Sequence, residues 1–120
     1  MNIGSVGENI ARDYLVSKNF EIICTNYHSR YGEIDVVCEN NEYIVFVEVK
    51  SKLYSSNSQL EGRIDKLKKK KIIKTILDYV SKNETNKQPR IDVLEILIFN
   101  NFSKINHIEN AFEVGDYEFF

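Results

Sequence analysis

The sequence predicts one α/β domain in which helices flank a mixed central sheet, with the element order α-β-β-β-α-β. Three observations predict this class. Two segments carry apolar residues at helical spacing, and the runs around them are rich in β-branched and aromatic residues, as strands are. The length of 120 residues is enough for one core and too short for two. We expect a domain over 1–112 and a short tail over 113–120.

The first helix is predicted to open at Gly4, since Val6, Ile10 and Leu15 follow at helical spacing. The second runs from Asp65, an N-cap candidate, to about Ser81 after a polar loop over 51–63. The strand-like runs lie at 20–27, 32–39, 42–50, 90–99 and 105–112. The last of them is a candidate for a short edge strand.

The composition is that of a soluble globular protein, with 42% hydrophobic residues, 28% charged residues and a net charge of −2. No apolar run approaches the roughly 20 residues that span a bilayer, and the first residues lack the apolar core of a secretory signal. Cys24 and Cys38 have no metal-type spacing, and each lies in an apolar segment. We therefore expect free thiols in a cytoplasmic protein that does not bind membranes.

Two charged residues, Glu48 and Lys50, lie inside the apolar run "VFVEVKSK". Alternate residues of a strand share a face, so both project from the same side as Phe46. A carboxylate and an ammonium on a largely buried strand are unfavourable unless something compensates them. This run is therefore a candidate functional site.

The second and third strands meet at an Asn-Asn pair, which favours a tight hairpin because asparagine tolerates positive φ. With this pair as the turn, Asp35 lies opposite Phe46 and Glu33 lies opposite Glu48, all on one face. Asp35 and Glu48 then become diagonal neighbours whose Cβ atoms are about 7–8 Å apart. Two such carboxylates can hold one hard cation with oxygen ligands.

The alternative is that these acids form a salt-bridged patch with Lys50 and Arg30 on a half-exposed face. Two features weaken it. Glu33 and Glu48 would face each other, which like charges avoid, and both strands are too apolar to be peripheral. A divalent metal would supply the missing positive charge and leave Lys50 to orient or activate a water.

An acidic residue on one strand followed by Glu-x-Lys on the next resembles the core motif of the restriction-endonuclease-like superfamily, the PD-(D/E)xK nucleases. More narrowly, five blocks resemble the uncharacterised YraN-type family in content and order. They are "GSVGENIARDYL", "GEIDVVCE", "VFVEVKSK", "RIDVLEI" and "IENAF". That family is thought to be related to the archaeal Holliday-junction resolvases. The resemblance covers the chain from Gly4 to Phe112.

The resemblance implies a restriction-endonuclease-like fold and site residues that correspond by position. The metal-binding acids fall on Asp35 and Glu48, and the motif's lysine falls on Lys50. The acid that related nucleases bring from the first helix falls on Glu8, whose alternative role is a favourable charge near a helix N-terminus. Glu33 is a further candidate. The implied cofactor is Mg²⁺ or Mn²⁺ and the implied partner is DNA; a homodimer rests on the analogy alone.

Lysines crowd the start of the second helix, at Lys66, Lys68, Lys69, Lys70, Lys71 and Lys74. Cations at a helix N-terminus oppose the helix dipole and repel each other. A polyanion would offset both effects, whereas the alternative is an ordinary solvated face. Lys68 matches a basic position of the family pattern and leads the nucleic-acid-binding candidates, 68–71. Arg30 and Lys52, the latter where the family pattern has arginine, complete the set.

These observations predict a metal-dependent endonuclease that hydrolyses phosphodiester bonds in DNA, with branched or recombination and repair intermediates as candidate substrates. The expected catalytic residues are Glu8, Asp35, Glu48 and Lys50. The alternative is a non-catalytic nucleic-acid-binding or adaptor protein that keeps the nuclease fold. Lost catalytic residues would favour it, and none is lost here. No Ser-His-Asp, Cys-His, P-loop or Rossmann pattern competes with either interpretation.

Overall fold

The computed structural model describes residues 2–55 and 64–113. Within them the chain forms two helices and five strands, which are α1 (Ile3–Ser17), β1 (Glu21–Ser29), β2 (Gly32–Glu39), β3 (Tyr43–Leu53), α2 (Lys66–Lys82), β4 (Gln88–Ile98) and β5 (Ser103–Ile108). The α/β class and the predicted element order are confirmed, and the edge-strand candidate forms β5. Most of the predicted loop after β3, and all but the first residue of the predicted tail, lie outside the described residues.

The strands form one sheet in the order β1-β2-β3-β4-β5. β3 and β4 are parallel, whereas the other neighbours are antiparallel. The parallel pair follows from the crossover through α2, which returns the chain to the start of β4. Each helix packs on one face of the sheet. The core on the α1 face includes Leu15 and Val47, and the core on the α2 face includes Ile73 and Phe46.

Helix α1 begins at Ile3, one residue before the predicted start. The reason is Asn2, whose side-chain oxygen accepts a hydrogen bond from the Ser5 N–H at 3.3 Å. An asparagine in this position satisfies one of the unpaired donors of the first turn. Gly4 therefore lies inside the helix and does not open it.

Helix α2 begins as predicted after Asp65, whose Oδ1 accepts from the Lys68 N–H at 2.9 Å. Both cysteines are free thiols, as predicted, with Cys38 buried and Cys24 partly buried. Burial raises the pKa of the Cys38 thiol to about 12, so this side chain is a core residue. No helix among the described residues is both long and apolar enough to cross a membrane.

The hairpin between β2 and β3 has a different register from the predicted one. Glu39 pairs with Ile44. The Asn40 N–H donates to the Tyr43 carbonyl at 3.0 Å, while Asn40 Oδ1 accepts from the N–H groups of Glu42 and Tyr43 at 2.9 and 2.8 Å. Because this side chain acts as an acceptor inside the turn, the turn is centred one residue later than predicted. The cross-strand register therefore moves by two residues.

Strand β3 runs three residues further than predicted, to Leu53. The cause is β4, which pairs with β3 along its whole length, from Tyr43–Gln88 to Leu53–Ile98. The polar segment after Lys50 was expected to be a loop, but its first residues are held by this parallel ladder. The extension carries β3 well past the candidate site.

Strand β2 changes face at Asp35. The regular pairing of β1 with β2 is interrupted at Asn26 and Asp35. Asn26 also has a left-handed φ of 52°. Ile34 and Val37 both face α2, although strict alternation would place residues three apart on opposite faces. Both strands are therefore irregular at this point, as they often are beside functional residues.

Candidate functional site

The candidate site lies where β2 and β3 part. Their regular pairing ends at Val36 and Val47, and one residue further along each strand lie Asp35 and Glu48. The predicted pairing of Asp35 with Phe46 is wrong, because the turn shifts the register by two residues. The observed register brings the two acids level with each other instead of diagonal.

Asp35 is a buried carboxyl group, 9% exposed. Its Oδ2 accepts a hydrogen bond from the Val49 N–H at 2.7 Å, so the side chain bonds β3 where the regular ladder has ended. Burial and then the charge of Glu48 raise the pKa of Asp35 to about 7, against the Val49 hydrogen bond and with smaller contributions from Glu8 and Glu33. The surroundings of Asp35 therefore disfavour its ionised form.

Glu48 is 7% exposed and lies on the α2 side of the sheet, two residues after Phe46. Its Oε1 is 2.9 Å from Nζ of Lys68, which reaches down from the first turns of α2. Burial acts to lower the pKa of Lys68, but the hydrogen bond and charge of Glu48 outweigh it and raise that pKa. Lys68 is therefore a charged ammonium fixed at the site.

Glu8 approaches from α1, on the other side of the sheet. The helix comes close to β3 at Gly7, where a Cβ would lie only 2.6 Å from Cβ of Ser51. Only glycine permits this approach. Glu8, the next residue, is half-buried and close enough for its charge to raise the pKa of Asp35.

Lys50 and Glu33 lie around these acids. Lys50 is half-buried, two residues after Glu48 on the same face of β3, and pairs in register with Glu95 of β4. The predicted pairing of Glu33 with Glu48 is wrong for the same reason as that of Asp35. Glu33 is half-exposed, and its Oε2 is 3.2 Å from Nδ1 of His28 in the neighbouring strand.

An open cavity of about 370 Å³ lies over Glu48. Both signs of charge line it, since Glu33, Glu48 and Asp65 are acidic and Lys68 and Lys71 are basic. The two lysines are three residues apart on one face of α2. The cavity gives a ligand access to Glu48 beside two ammonium groups.

The remaining basic candidates are dispersed. Nζ of Lys69 lies 5.3 Å from the ring centroid of Phe112, and Lys70 is half-buried in the same turn. Arg30 is exposed in the β1–β2 turn and donates to the Tyr31 hydroxyl at 2.7 Å. Lys52 is exposed near the end of β3. The structure thus brings Lys68 and Lys71 of this set to the acids.

Mg²⁺ or Mn²⁺ was expected at these acids. Among the described residues, no three His, Cys, Asp or Glu side chains are grouped closely enough to hold a metal ion by themselves. Asp35 and Glu48 lie level with each other on neighbouring strands, and Mg²⁺ commonly uses one or two carboxylates, with waters and substrate phosphates as its other ligands. Burial and the charge of Glu48 raise the pKa of Asp35, and a bound cation would favour its ionised form. The donor set of Asp35 and Glu48 therefore fits such an ion.

Lys68 is the residue whose place the sequence did not predict. It was expected to bind nucleic acid, and its contact with Glu48 was not foreseen. A usable signal was present in the Asp65 cap, which fixes where α2 begins and hence which lysines share a face. The distance between α2 and the hairpin could not be deduced from local sequence, because the two are separated by the loop after β3.

Comparison with known proteins identifies one family. A model described as "Uncharacterised protein family UPF0102" matches residues 7–96. Among curated relatives, the UPF0102 protein of Persephonella marina is 42% identical over 112 residues, covering 92% of this chain and 93% of that protein. That of Clostridioides difficile is 39% identical over 110 residues, covering 91% and 95%. That of Thermodesulfovibrio yellowstonii is 36% identical over 112 residues, covering 93% and 96%.

Proposed function

Since the chain belongs to the uncharacterised protein family UPF0102, whose name carries no activity, we propose from the site itself that this protein is a metal-dependent nuclease. This is the YraN-type family that the five sequence blocks resemble. The proposed reaction is hydrolysis of phosphodiester bonds in DNA, with Mg²⁺ or Mn²⁺ as the cofactor. Branched and recombination or repair intermediates are the proposed substrates.

One observation carries the proposal. Two buried carboxylates, Asp35 and Glu48, are level with each other at the point where two strands part, and burial together with the charge of Glu48 raises the pKa of Asp35 to about 7. A purely structural site would avoid placing like charges in this way. Local rules broken inside an otherwise consistent fold are typical of functional residues.

Each residue then has a distinct role. Asp35 and Glu48 would hold the ion, which would lower the pKa of a water and neutralise charge on the phosphate. Lys50, on the same face as Glu48, orients that water or stabilises the phosphate oxygen. Lys68 holds the carboxylate of Glu48 in place. Lys71, with the N-terminal end of α2 beside it, attracts the phosphate backbone.

The test is cleavage of linear, flapped and four-way DNA by the full chain with Mg²⁺ or Mn²⁺. Glu48→Gln keeps the shape of the side chain and removes its charge, and Glu39→Gln removes a carboxylate from the far end of β2 as a matched control. We expect metal-dependent cleavage that falls by about 100-fold or more in Glu48→Gln, because even outer-shell partners of metal ligands are worth 10–100-fold. Glu39→Gln should cleave like the wild type.

A non-catalytic DNA-binding or adaptor protein is the second candidate. The ion pair between Lys68 and Glu48 favours it, because the ammonium group balances the charge of this carboxylate without a metal. The cleavage assay described above, combined with a measurement of DNA binding, distinguishes the two candidates. DNA binding without cleavage under any metal, and with no effect of Glu48→Gln, would establish the adaptor and exclude the nuclease.

A further inference from the structure

Three aromatic rings are stacked at the far end of the sheet, beyond the candidate site. The ring centroids of Tyr54 and Phe99 are 4.5 Å apart with an interplanar angle of 22°. Those of Phe99 and Phe102 are 4.4 Å apart at 6°. The outer two rings are open to solvent, since Tyr54 is 53% exposed and Phe102 57% exposed. We call these three residues the aromatic stack.

The backbone holds the aromatic stack in place. The Tyr54 N–H donates to the Ile98 carbonyl at 2.7 Å, just beyond the last residue of β3. The Phe99 N–H donates to the Phe102 carbonyl at 2.8 Å, across the turn that joins β4 to β5. Phe99 is thus fixed between its two neighbours. Part of the stacking stabilises this turn, but that role does not require two outer rings that are more than half exposed.

Positive charge lies beside the stack on the same face. Leu97 pairs with Lys52 on one side and with Lys104 on the other, and register partners share a face. Nζ of Lys104 lies 5.7 Å from the ring centroid of Phe99. Both lysines are exposed at their strand positions. Aromatic faces next to ammonium groups suit a ligand that has both flat rings and negative charges.

The stack is also aligned with the candidate site. Glu48, Lys50 and Lys52 are alternate residues of β3 and follow one face of the strand, and Tyr54 comes directly after its last residue, Leu53. At about 3.3 Å per residue, Tyr54 lies about 20 Å from Glu48 along this row. A chain bound along the row would pass from the acids, across the lysines, to the rings.

We propose that the aromatic stack is a binding site for an unpaired base of single-stranded nucleic acid, whose backbone follows the lysines toward Glu48. Bases stack on exposed aromatic side chains with little dependence on sequence, and basic residues track the phosphates. The inference deepens the proposed nuclease function by naming the substrate as DNA with an unpaired strand. The base binding stands independently of cleavage.

The experiment measures binding of a fluorescein-labelled oligothymidylate by anisotropy, with a chelator present so that nothing is cleaved. The variant Tyr54→Ala/Phe102→Ala removes both outer rings and leaves Phe99 in place. We expect its affinity for the single strand to fall at least about fivefold, the lower limit for loss of one stacked base. Affinity for a duplex of the same length should not change, since its bases are already stacked.

Three controls separate stacking from other effects. Tyr54→Phe/Phe102→Tyr keeps the rings and should bind like the wild type, and Leu53→Ala removes an equally exposed apolar side chain from the opposite face. Lys104→Gln should reduce the salt slope by about 0.7 for the lost phosphate contact, whereas the double alanine variant should leave that slope unchanged. Far-ultraviolet circular dichroism establishes that each variant is folded.

Several outcomes would overturn the inference. They are no binding of the single strand by the wild type, unchanged binding by the double alanine variant, and an equal loss on single strand and duplex. Dissociation of an oligomer with unchanged DNA binding would assign the stack to contacts between copies of the chain instead. Binding of the single strand through the rings, together with absence of cleavage under any metal, would uphold the base site and refute the nuclease.

Discussion

The protonation state of Asp35 depends strongly on its surroundings. Its pKa is raised from 3.8 to about 7, first by burial and then by Glu48. An acid with a raised pKa in the folded state binds its proton more tightly there than in the unfolded chain. Its stabilising contribution is therefore complete below pH 3.8 and is lost as the pH rises toward about 7.

We predict that metal-free protein loses stability relative to Asp35→Asn between these two pH values. The difference in unfolding free energy should change by at most about 1.4 kcal/mol per pH unit, the limit for one proton. Urea denaturation of both proteins in a chelator, at closely spaced pH values, measures it. Parallel pH profiles would show that Asp35 ionises normally and that the two carboxylates do not interact.

At the scale of one element, the position of Glu8 depends on how closely helix α1 approaches β3. It depends on Gly7, which lies against Ser51 with no room for a Cβ. We predict that Gly7→Ala destabilises the protein by about 1–3 kcal/mol, the usual effect of overpacking, although alanine favours helices. The double variant Gly7→Ala/Ser51→Gly should recover most of the loss, because it removes the overlapping atoms.

Gly4→Ala is the matched control for this contact. Its added Cβ would lie 3.2 Å from Oδ1 of the exposed Asn2 side chain, the N-cap acceptor, so a slightly weakened cap and the helix propensity of alanine should offset each other and leave stability nearly unchanged. Thermal unfolding of the four proteins gives all the values. Equal loss in the single and double Gly7 variants would show that Ser51 does not limit the approach of the helix.

A buried network joins β4 to β5 and α1. Asp92 is fully buried and accepts from Arg90 at 2.9 Å, from Nε2 of His107 at 2.7 Å and from the Asn110 N–H at 3.0 Å. His107 Nδ1 in turn lies 3.0 Å from the Tyr14 hydroxyl. Burial alone would raise the pKa of Asp92, but these hydrogen bonds outweigh it and lower that pKa.

The network predicts a pH dependence opposite to that of Asp35. The stabilising contribution of Asp92 is present above the ordinary aspartate pKa and is lost as the pH falls through its lowered folded value. Asp92→Asn leaves Arg90 without its buried partner and should destabilise the protein by about 3–5 kcal/mol at pH 7. Urea denaturation at pH 7 and under acid should show this difference shrinking below pH 4. A constant difference would mean that Asp92 is not charged in the folded protein.

The elements could be predicted from sequence because their signals are local. The helical spacing and the apolar runs gave the correct order, and Asp65 marked the start of α2. The hairpin register was missed because the Asn40 side chain takes part in the turn, a choice that an Asn-Asn pair does not reveal. Because the error amounted to two residues, the prediction still placed Asp35 next to Glu48. The contacts that Lys68 and His107 make depend on tertiary packing, which local sequence does not determine.

At the scale of the whole molecule, three elements meet at the end of the β2–β3 pairing. The sheet supplies Asp35 and Glu48, α1 brings Glu8 to one side and α2 brings Lys68 to the other. Nζ of Lys68 lies 2.9 Å from Oε1 of Glu48. A bound divalent ion would supply positive charge at the same carboxylate, so Lys68 and the ion should compete for it.

We therefore predict that Lys68→Met lowers the unfolding free energy of the metal-free protein by about 1–3 kcal/mol, because it removes a charged hydrogen bond to the buried carboxylate of Glu48. Mn²⁺ should then stabilise Lys68→Met more than the wild type, since tighter binding at one concentration gives a larger RT ln(1 + [Mn²⁺]/Kd). Thermal unfolding in chelator and in Mn²⁺ measures both effects, with Lys66→Met as an exposed control on the same helix. An equal or smaller response of Lys68→Met to Mn²⁺ would show that the lysine and the ion do not share Glu48.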